Sequence, residues 1–200
     1  MGKNNFDEIT EKLVELKDTS ELMLDLAYSS LLLKSKDLAE EVQFLEEYMD
    51  DLHTEFELLV LSSGFDSKDS KDYLGLIRLG LFTEAIADAG AKIAEVVLRG
   101  IEPHQVLKMA IEEAEEAVVK VQVPKNSKFV GKSLREAKIP EETGLWILAI
   151  RRGKGWIRPR GSVVIAAKDT LIASGYAEGE KDFISLITGK VDEEMTDLTE

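Results

Sequence analysis

The first 120 residues have a helical pattern that leaves little room for another fold class. They contain a single proline, Pro103, and their apolar residues recur at spacings of three and four. On an α-helix this spacing places the apolar side chains on one face, so each such segment predicts a helix with a core-facing stripe. Helices joined by short connections predict an antiparallel four-helix bundle over residues 1–120.

The predicted helices cover about residues 5–34, the segment after "KSKD", residues 71–98 and the stretch from Pro103 to about Lys120. The first helix carries a second apolar stripe, for which we expect a further packing surface, a subunit interface. That stripe consists of Leu22, Leu26, Ser29 and Leu33. The expected core-facing row of the third helix consists of Phe82, Ile86, Ala89, Ile93 and Val96.

The charge and the pattern both change at residue 121. Residues 1–120 contain 12 Lys or Arg and 27 Asp or Glu, a net −15, whereas residues 121–190 contain 13 and 7, a net +6. The last ten residues hold five acids and no base. Short alternating segments broken by glycine and proline predict strands after residue 121. We therefore predict three parts: the bundle at 1–120, a small α+β domain with a mostly antiparallel sheet at 121–189, and an acidic tail at 190–200.

The segment "LWILAI" at 145–150 is apolar on both faces of the predicted strand. A strand in so small a domain is buried on both faces only if a helix covers one side and a second subunit or domain covers the other. The segment therefore predicts a homodimer. The expected interface residues are Leu145, Trp146, Ile147, Leu148 and Ile150.

Two pairs of carboxylates share the pattern E-x-x-x-D, Glu21 with Asp25 on the first helix and Glu84 with Asp88 on the third. That spacing puts both carboxylates of a pair on one helical face, where like charges cost roughly 0.2–0.5 kcal/mol. Oxygen ligands from two helices suit magnesium, manganese or iron, so the four residues are candidate metal ligands. A solvated acidic face is the alternative, because the third-helix pair points away from the expected apolar row.

The segment "RRGKGWIRPRG" at 151–161 gathers five cations in a chain whose net charge is −14. Four of them are candidate ligands of a small anion, since arginine pairs with phosphate or carboxylate through two hydrogen bonds. These four are Arg151, Arg152, Arg158 and Arg160. Pairing with the acidic bundle or tail is a second interpretation. Nucleic-acid binding beside Trp146 and Trp156 is a third, which the acidic net charge disfavours.

Several classes of protein are disfavoured by what the sequence lacks. There is no cysteine, which excludes disulfides, thiolate metal sites and cysteine nucleophiles. No nucleophile elbow, glycine-rich phosphate loop or catalytic Ser/His/Asp pattern is present, so we expect no enzymatic activity. No apolar run approaches the ~18 residues that span a bilayer, and the N-terminus has no signal-peptide pattern. We expect a soluble, cytoplasmic protein without direct membrane insertion.

Residues 121–189 resemble the TrkA-C domain, the C-terminal lobe of RCK regulators of potassium channels and transporters. The motifs that carry the resemblance are "FVGKSLREA", "AIRRG", "IRPRG" and "KDTLIASG". Lys168 departs from the family, which usually has glycine before the aspartate, and a lysine is less comfortable in a left-handed turn. The first half resembles PhoU, on "DLAYSSLLL", "AIADAGAKIAEVVLRGIEP" and the two E-x-x-x-D pairs.

The two resemblances imply a stand-alone prokaryotic, plausibly archaeal, regulator of potassium or other cation transport. TrkA-C lobes dimerise through their sheets and hold small ligands near that interface, including cyclic di-AMP in some members. The Rossmann lobe that normally precedes TrkA-C is replaced by the helical half, so no NAD is expected. The resemblances thus imply a homodimeric ligand sensor that acts on a membrane transporter or channel. The alternative is a PhoU-like metal-binding signalling adaptor in which TrkA-C only dimerises the chain.

Overall fold

In the computed structural model the chain divides into two compact units, Met1–Ile101 and Glu102–Glu200. The structure describes residues 5–63, 70–101, 105, 106, 109, 113 and 115–189. Most of the expected fourth helix and the whole acidic tail lie outside these described residues. No helix within the described ranges is long and apolar enough to cross a membrane.

The first unit is built from three long helices, each packed against the other two. They are α1 (Asn5–Leu32), α2 (Lys36–Ser62) and α3 (Ser70–Leu98). The side chain of Ser35 accepts a hydrogen bond from the Leu38 N–H and so caps the start of α2. Gly100, with φ of +65°, follows the end of α3, a position where glycine is favoured because it adopts a left-handed conformation without strain.

The predicted stripes of α1 and α2 form the core of this unit. Leu16, Met23 and Ala27 of α1 are fully buried, as are Met49 and Phe56 of α2. The second stripe of α1 is also buried in its middle, because Leu26 and Ser29 expose no surface. The prediction of a separate packing surface there is therefore wrong.

The predicted core row of α3 is wrong as well, because the helix turns a different face inward. The buried residues of α3 are small apart from one tyrosine: Tyr73, Gly80, Ala87, Gly90, Ala91 and Ala94. Small residues let the helix come close, and a Cβ added at Gly80 would lie 2.9 Å from the Phe56 ring. The row that includes Phe82 and Ile86 faces away, with exposed fractions of 67% and 46%.

The second unit is a four-stranded antiparallel sheet with short helices. Its strands are β1 (Glu116–Gln122), β2 (Leu145–Arg152), β3 (Gly155–Ile157) and β4 (Thr170–Tyr176), in the spatial order β1-β4-β2-β3. Its helices are α4 (Leu134–Ala137), α5 (Ile139–Thr143) and α6 (Glu180–Thr188). One sheet face and α6 share a core that includes Leu171, Phe183 and Ile187. The predicted fold class, a helical unit followed by an α+β unit, is confirmed.

The first strand begins earlier than the sequence predicts. Residues 116–122 pair with β4 along their whole length, from Glu116 opposite Tyr176 to Gln122 opposite Thr170. The expected helix therefore does not reach Lys120. Glu116, Ala117 and Lys120 are helix formers, whereas Val118 and Val119 favour a strand, and pairing with β4 decides the outcome.

The turns of this unit depend on a few residues that are close in the sequence. The side chain of Ser133 accepts a hydrogen bond from the Glu136 N–H and Glu136 accepts one from the Ser133 N–H, a complete capping box. Gly153, with φ of +63°, makes the β2–β3 hairpin turn. Lys168 adopts φ of +70°, a left-handed conformation that glycine adopts more readily than lysine.

Candidate functional site

The four predicted metal ligands lie on α1 and α3. Glu21 pairs with Lys17 at 2.6 Å, and Glu84 Oε2 lies 3.6 Å from Nδ1 of His53. Within the described ranges, which include all four residues, no three His, Asp or Glu side chains are grouped so that they could share a metal ion. Metal binding by these pairs remains a prediction without a preformed cluster to support it.

Burial and the proximity of the two carboxylates affect the pKa of Asp25 in particular. Burial, and then the negative charge of Glu21, raise the pKa of Asp25 to about 6. An aspartate in an unfolded chain titrates near about 3.9, so between these values the folded protein holds a proton that the unfolded chain releases. The contribution of Asp25 to stability therefore falls as the pH rises from about 4 to about 6.

We expect Asp25→Asn to raise the free energy of unfolding by roughly 1–2 kcal/mol at pH 7.5 and to change it little at pH 4. The amide keeps the shape of the side chain and removes the unfavourable charge. Urea titrations followed by circular dichroism at both pH values would measure this, with the exposed Asp51→Asn as the control. Equal effects at the two pH values would contradict the expectation.

Repeating the pH 7.5 titration with manganese tests the prediction that the carboxylate pairs bind a metal. That prediction requires manganese to stabilise the wild type and not Asp25→Asn.

Arg152 is held by the protein itself. Its Nε donates to Asp169 Oδ1 at 2.8 Å and its Nη2 donates to Oδ2 at 2.7 Å, while Nη2 also donates to the Val164 carbonyl oxygen. Asp169 is fully buried and accepts a further bond from the Ala166 N–H at 2.8 Å. Burial acts to raise the pKa of Asp169, but these hydrogen bonds and the charge of Arg152 hold it below its usual value. The pair fixes the end of β2 to the turn that precedes β4.

The other three predicted arginines lie on β2 and on the segment after β3. Arg151 lies within β2 on the opposite sheet face from Arg152, since successive strand residues alternate, and its guanidinium lies 5.7 Å from the centre of the Trp156 ring. Arg158 and Arg160 are exposed on the segment after β3. Anion binding by these four residues stays a prediction.

The predicted dimer strand has an irregularity that changes which side chains are available. The pairing of β2 with β4 shifts between Ile147 and Ala149, so Leu148 is a bulge. Leu145 and Ile150 are fully buried inside the protomer and so are not available to a second copy. Trp146, in contrast, exposes 56% of its surface.

Trp146 forms one wall of a groove that the sequence patterns do not predict. The groove has a volume of about 340 Å³. It is lined by Leu134, Arg135, Lys138, Ile139, Pro140, Glu141, Trp146, Ile147, Pro159 and Gly161. An exposed indole beside two cations can stack on a flat molecule and neutralise its negative charge.

Local backbone geometry brings the two cations to the groove. The Arg135 N–H donates to the Gly161 carbonyl oxygen at 3.0 Å, and a Cβ at Gly161 would lie 3.4 Å from Arg135 Nε. Lys138, with φ of +48°, joins α4 directly to α5 in a left-handed conformation. Such a conformation costs about 1 kcal/mol or more for a non-glycine residue and is concentrated at functional sites. In the sequence, the capping box at Ser133 is the one local pattern in this region. No residue spacing indicates that the region lies beside Trp146.

A larger cavity of about 580 Å³ lies elsewhere in the same unit. Its charged side chains are Lys128, Glu142 and Asp182, which carry a net negative charge. It has no aromatic side chain in its lining. The groove beside Trp146 is therefore better suited to an anion despite its smaller volume.

Two domain models match the chain: the PhoU domain over residues 13–97 and the TrkA-C domain over residues 118–188. The helical unit thus matches the PhoU domain and the α+β unit matches the TrkA-C domain, which confirms both resemblances. A comparison with curated proteins finds no match.

Three solved structures illustrate the similar proteins. The RCK C domain of the potassium transport protein KtrA, in complex with cyclic diadenosine monophosphate (c-di-AMP), is 27% identical, covering 40% of this chain and 93% of that chain with a TM-score of 0.34. The RCK_C domain dimer of S. agalactiae BusR in complex with c-di-AMP is 27% identical, covering 35% and 97% with a TM-score of 0.31. S. agalactiae BusR in complex with its busA-promotor DNA is 18% identical, covering 58% and 65% with a TM-score of 0.33.

Proposed function

We propose that this protein is a non-catalytic, cytoplasmic regulator of potassium or other cation transport whose TrkA-C unit senses a small anionic ligand. The observation that carries the proposal is the groove in which Trp146 lies beside Arg135 and Lys138. The match of residues 118–188 to TrkA-C supports a regulatory role. The partner would be a membrane transporter or channel subunit.

The lining of the groove favours a ligand with both an aromatic ring and a negative charge. The Trp146 indole is more than half exposed, and base-on-aromatic stacking contributes ~1–3 kcal/mol. Arg135 presents a planar guanidinium that can pair with a phosphate through two bonds, and Lys138 adds a point charge. Glu141 is the one acid in the lining, so the cations outnumber it. A nucleotide or cyclic dinucleotide satisfies these requirements, and the TrkA-C resemblance makes cyclic di-AMP the first probe.

Ligand binding in the groove can change the arrangement of the unit, because several elements meet there. Its walls come from α4, α5, β2 and the segment after β3 that contains Pro159 and Gly161. A ligand changes the protein only as far as it binds one arrangement of these elements more tightly than another. We propose that the regulator works as a dimer, and that ligand binding shifts the balance between two arrangements of that dimer.

Calorimetric titration with cyclic di-AMP, ATP and AMP would test the ligand site. We expect Arg135→Ala and Lys138→Gly each to weaken binding of the tightest probe at least tenfold, since each removes one charge-assisted contact. Glycine is chosen at residue 138 because it accepts the positive φ without strain. Lys154→Ala, in the β2–β3 turn, is the control and should bind like the wild type.

The same titration separates the groove from the arginine segment. If Arg158→Ala and Arg160→Ala abolish binding while Arg135→Ala and Lys138→Gly do not, the ligand site lies on the arginine segment and the groove is the wrong location. If none of the three probes binds to the wild type, the ligand-sensing proposal fails.

A further inference from the structure

The most unusual surface of the helical unit is the outward row of α3. It consists of Leu79, Phe82, Ile86, Ala89, Ile93 and Val96, at alternating spacings of three and four. Phe82 exposes 67% of its surface, Leu79 exposes 51% and Ile86 exposes 46%. Such a spacing places all six on one seam of the helix, as in helices that pack against a partner. A contiguous apolar seam of this length on a folded protein marks an interaction surface.

The seam continues onto α1. Gly90 of α3 packs directly on α1, since a Cβ there would lie 3.4 Å from the Met23 carbonyl oxygen and 3.6 Å from the Leu24 nitrogen. Ile86 and Ile93 lie one turn before and one turn after Gly90, so the seam runs beside α1. On α1, Leu24, the half-exposed Tyr28 and Leu31 continue the apolar surface. We call the seam and these three residues the α1–α3 face.

The two long edges of the α1–α3 face carry opposite charge. The α3 edge has cations that repeat every seven or fourteen residues: Arg78, Lys92 and Arg99. The α1 edge has acids at spacings of three and four: Asp18, Glu21 and Asp25. On α3, Glu95 pairs with Arg99 and Asp88 lies four residues before Lys92, so three cations against two acids leave this edge with a net charge of +1. On α1, Lys17 pairs with Glu21 and Asp18, so three acids against one cation leave this edge with a net charge of −2.

We infer that the α1–α3 face binds the same face of a second copy of this chain, with α3 of each copy lying over α1 of the other. α1 and α3 run in the same direction, because α2 returns the chain between them. A two-fold axis parallel to these helices brings the cationic edge of each copy against the acidic edge of the other. An axis perpendicular to them would place like edges together, which charge repulsion disfavours.

The area of the face reaches the lower limit for a specific protein–protein interface. The seam spans eighteen residues, from Leu79 to Val96, which is about 27 Å of helix at ~1.5 Å per residue. Two helices are about 20 Å wide, so each copy contributes about 500 Å² and the pair buries about 1,000 Å². Specific interfaces begin at about this area. This inference concerns the helical unit and does not depend on the ligand proposed for the TrkA-C unit.

Light scattering of the full chain tests the interface with two matched variants. Phe82→Glu and Phe44→Glu replace phenylalanines that are 67% and 68% exposed, so neither should unfold the protein. Phe82 lies on the α1–α3 face, whereas Phe44 lies on α2. We expect Phe82→Glu to halve the mass of the assembly at micromolar concentration and to raise its dissociation constant at least tenfold, with Phe44→Glu unchanged. Equal masses for the wild type and both variants would overturn the inference.

Cross-linking tests the orientation, because the chain has no cysteine of its own. Gly90 lies level with Leu24, so in the proposed pair Tyr28 of one copy is near the level of Val96 of the other. A mixture of Tyr28→Cys and Val96→Cys chains, distinguished by tags, should form mixed disulfides on mild oxidation. Phe44→Cys mixed with Val96→Cys is the control. Preferential linking of Tyr28→Cys to itself, or equal linking in both mixtures, would overturn the arrangement.

Discussion

Gly179→Ala is expected to destabilise the α+β unit by at least about 3 kcal/mol. Gly179 is buried at the end of a 3-10 turn, immediately before α6. A Cβ there would collide with the Thr143 carbonyl oxygen and would lie 2.7 Å from Leu145 Cδ1. Neither neighbour can move easily, because Leu145 is fully buried and the Thr143 hydroxyl donates to the Ile139 carbonyl oxygen at 2.9 Å. Relief would therefore require a shift of backbone.

Tryptophan fluorescence during urea unfolding would measure this effect in one unit alone, because both tryptophans, Trp146 and Trp156, lie in the α+β unit. Gly155→Ala is the matched control. Its nearest neighbour is the Arg152 carbonyl oxygen at 4.0 Å, so a methyl group has room there and the change should be within about 0.5 kcal/mol. Similar unfolding midpoints for the two variants would contradict the close packing at Gly179.

The turns of the α+β unit could be predicted from sequence because each depends on a few neighbouring residues. The capping box at Ser133 and Glu136 needs only a four-residue pattern, and the hairpin at Gly153 needs only a residue that tolerates positive φ. The resemblance of "FVGKSLREA" and "IRPRG" to TrkA-C then places these turns in one fold. Local chemistry and family pattern agree here, so the prediction holds.

The orientation of α3 could not be predicted in the same way. A periodic row of large apolar residues usually marks the core face, and the row with Phe82 and Ile86 has that pattern. The helix instead buries glycines and alanines, because Gly80 lies against Phe56 and Gly90 against the backbone of α1. Two helices can pack this closely only where the side chains at their contact are small. Hydrophobic periodicity alone does not distinguish the core from a second packing surface.

The sequence patterns do not predict the groove beside Trp146 or the bulge in β2, for a related reason. The bulge at Leu148 depends on how β2 pairs with β4, which the alternating pattern of 145–150 does not reveal. Arg135 reaches the groove through its backbone bond to Gly161, across a gap of 26 positions in the sequence. The arginine-rich segment is conspicuous in the sequence because its charged residues lie close together along the chain. The charged residues of the groove come from elements that are far apart in the sequence.

The ion pair between the partly exposed Arg152 and the buried Asp169 is the basis of the second large prediction. We expect Asp169→Asn to lower the free energy of unfolding of the α+β unit by roughly 2–4 kcal/mol at pH 7. The amide NH₂ of asparagine would face a guanidinium that also donates, so at least one of the bonds at 2.7 and 2.8 Å is lost. Arg152→Lys should also destabilise, because an ammonium cannot make the two parallel bonds of a guanidinium.

The pH dependence follows from the pKa of Asp169, which is held below its usual value in the folded protein. A carboxyl with a depressed folded pKa contributes stability above its unfolded pKa of about 3.9 and loses it as the pH falls further. The wild type should therefore lose stability relative to Asp169→Asn only below about pH 4. In Arg152→Met the buried carboxylate of Asp169 has no guanidinium partner, so its pKa rises. The destabilisation of this variant relative to the wild type should therefore lessen as the pH is lowered from 7 to 4.

A double-mutant cycle separates this structural role of Arg152 from anion binding. Because a lone buried charge costs more than its removal with the partner, Arg152→Met with Asp169→Leu should be more stable than Arg152→Met alone. A coupling energy below about 0.5 kcal/mol would contradict a structural pair. Ligand titration on the folded double variant then decides the role of Arg152. Binding retained there means that Arg152 serves the fold and leaves ligand recognition to the groove.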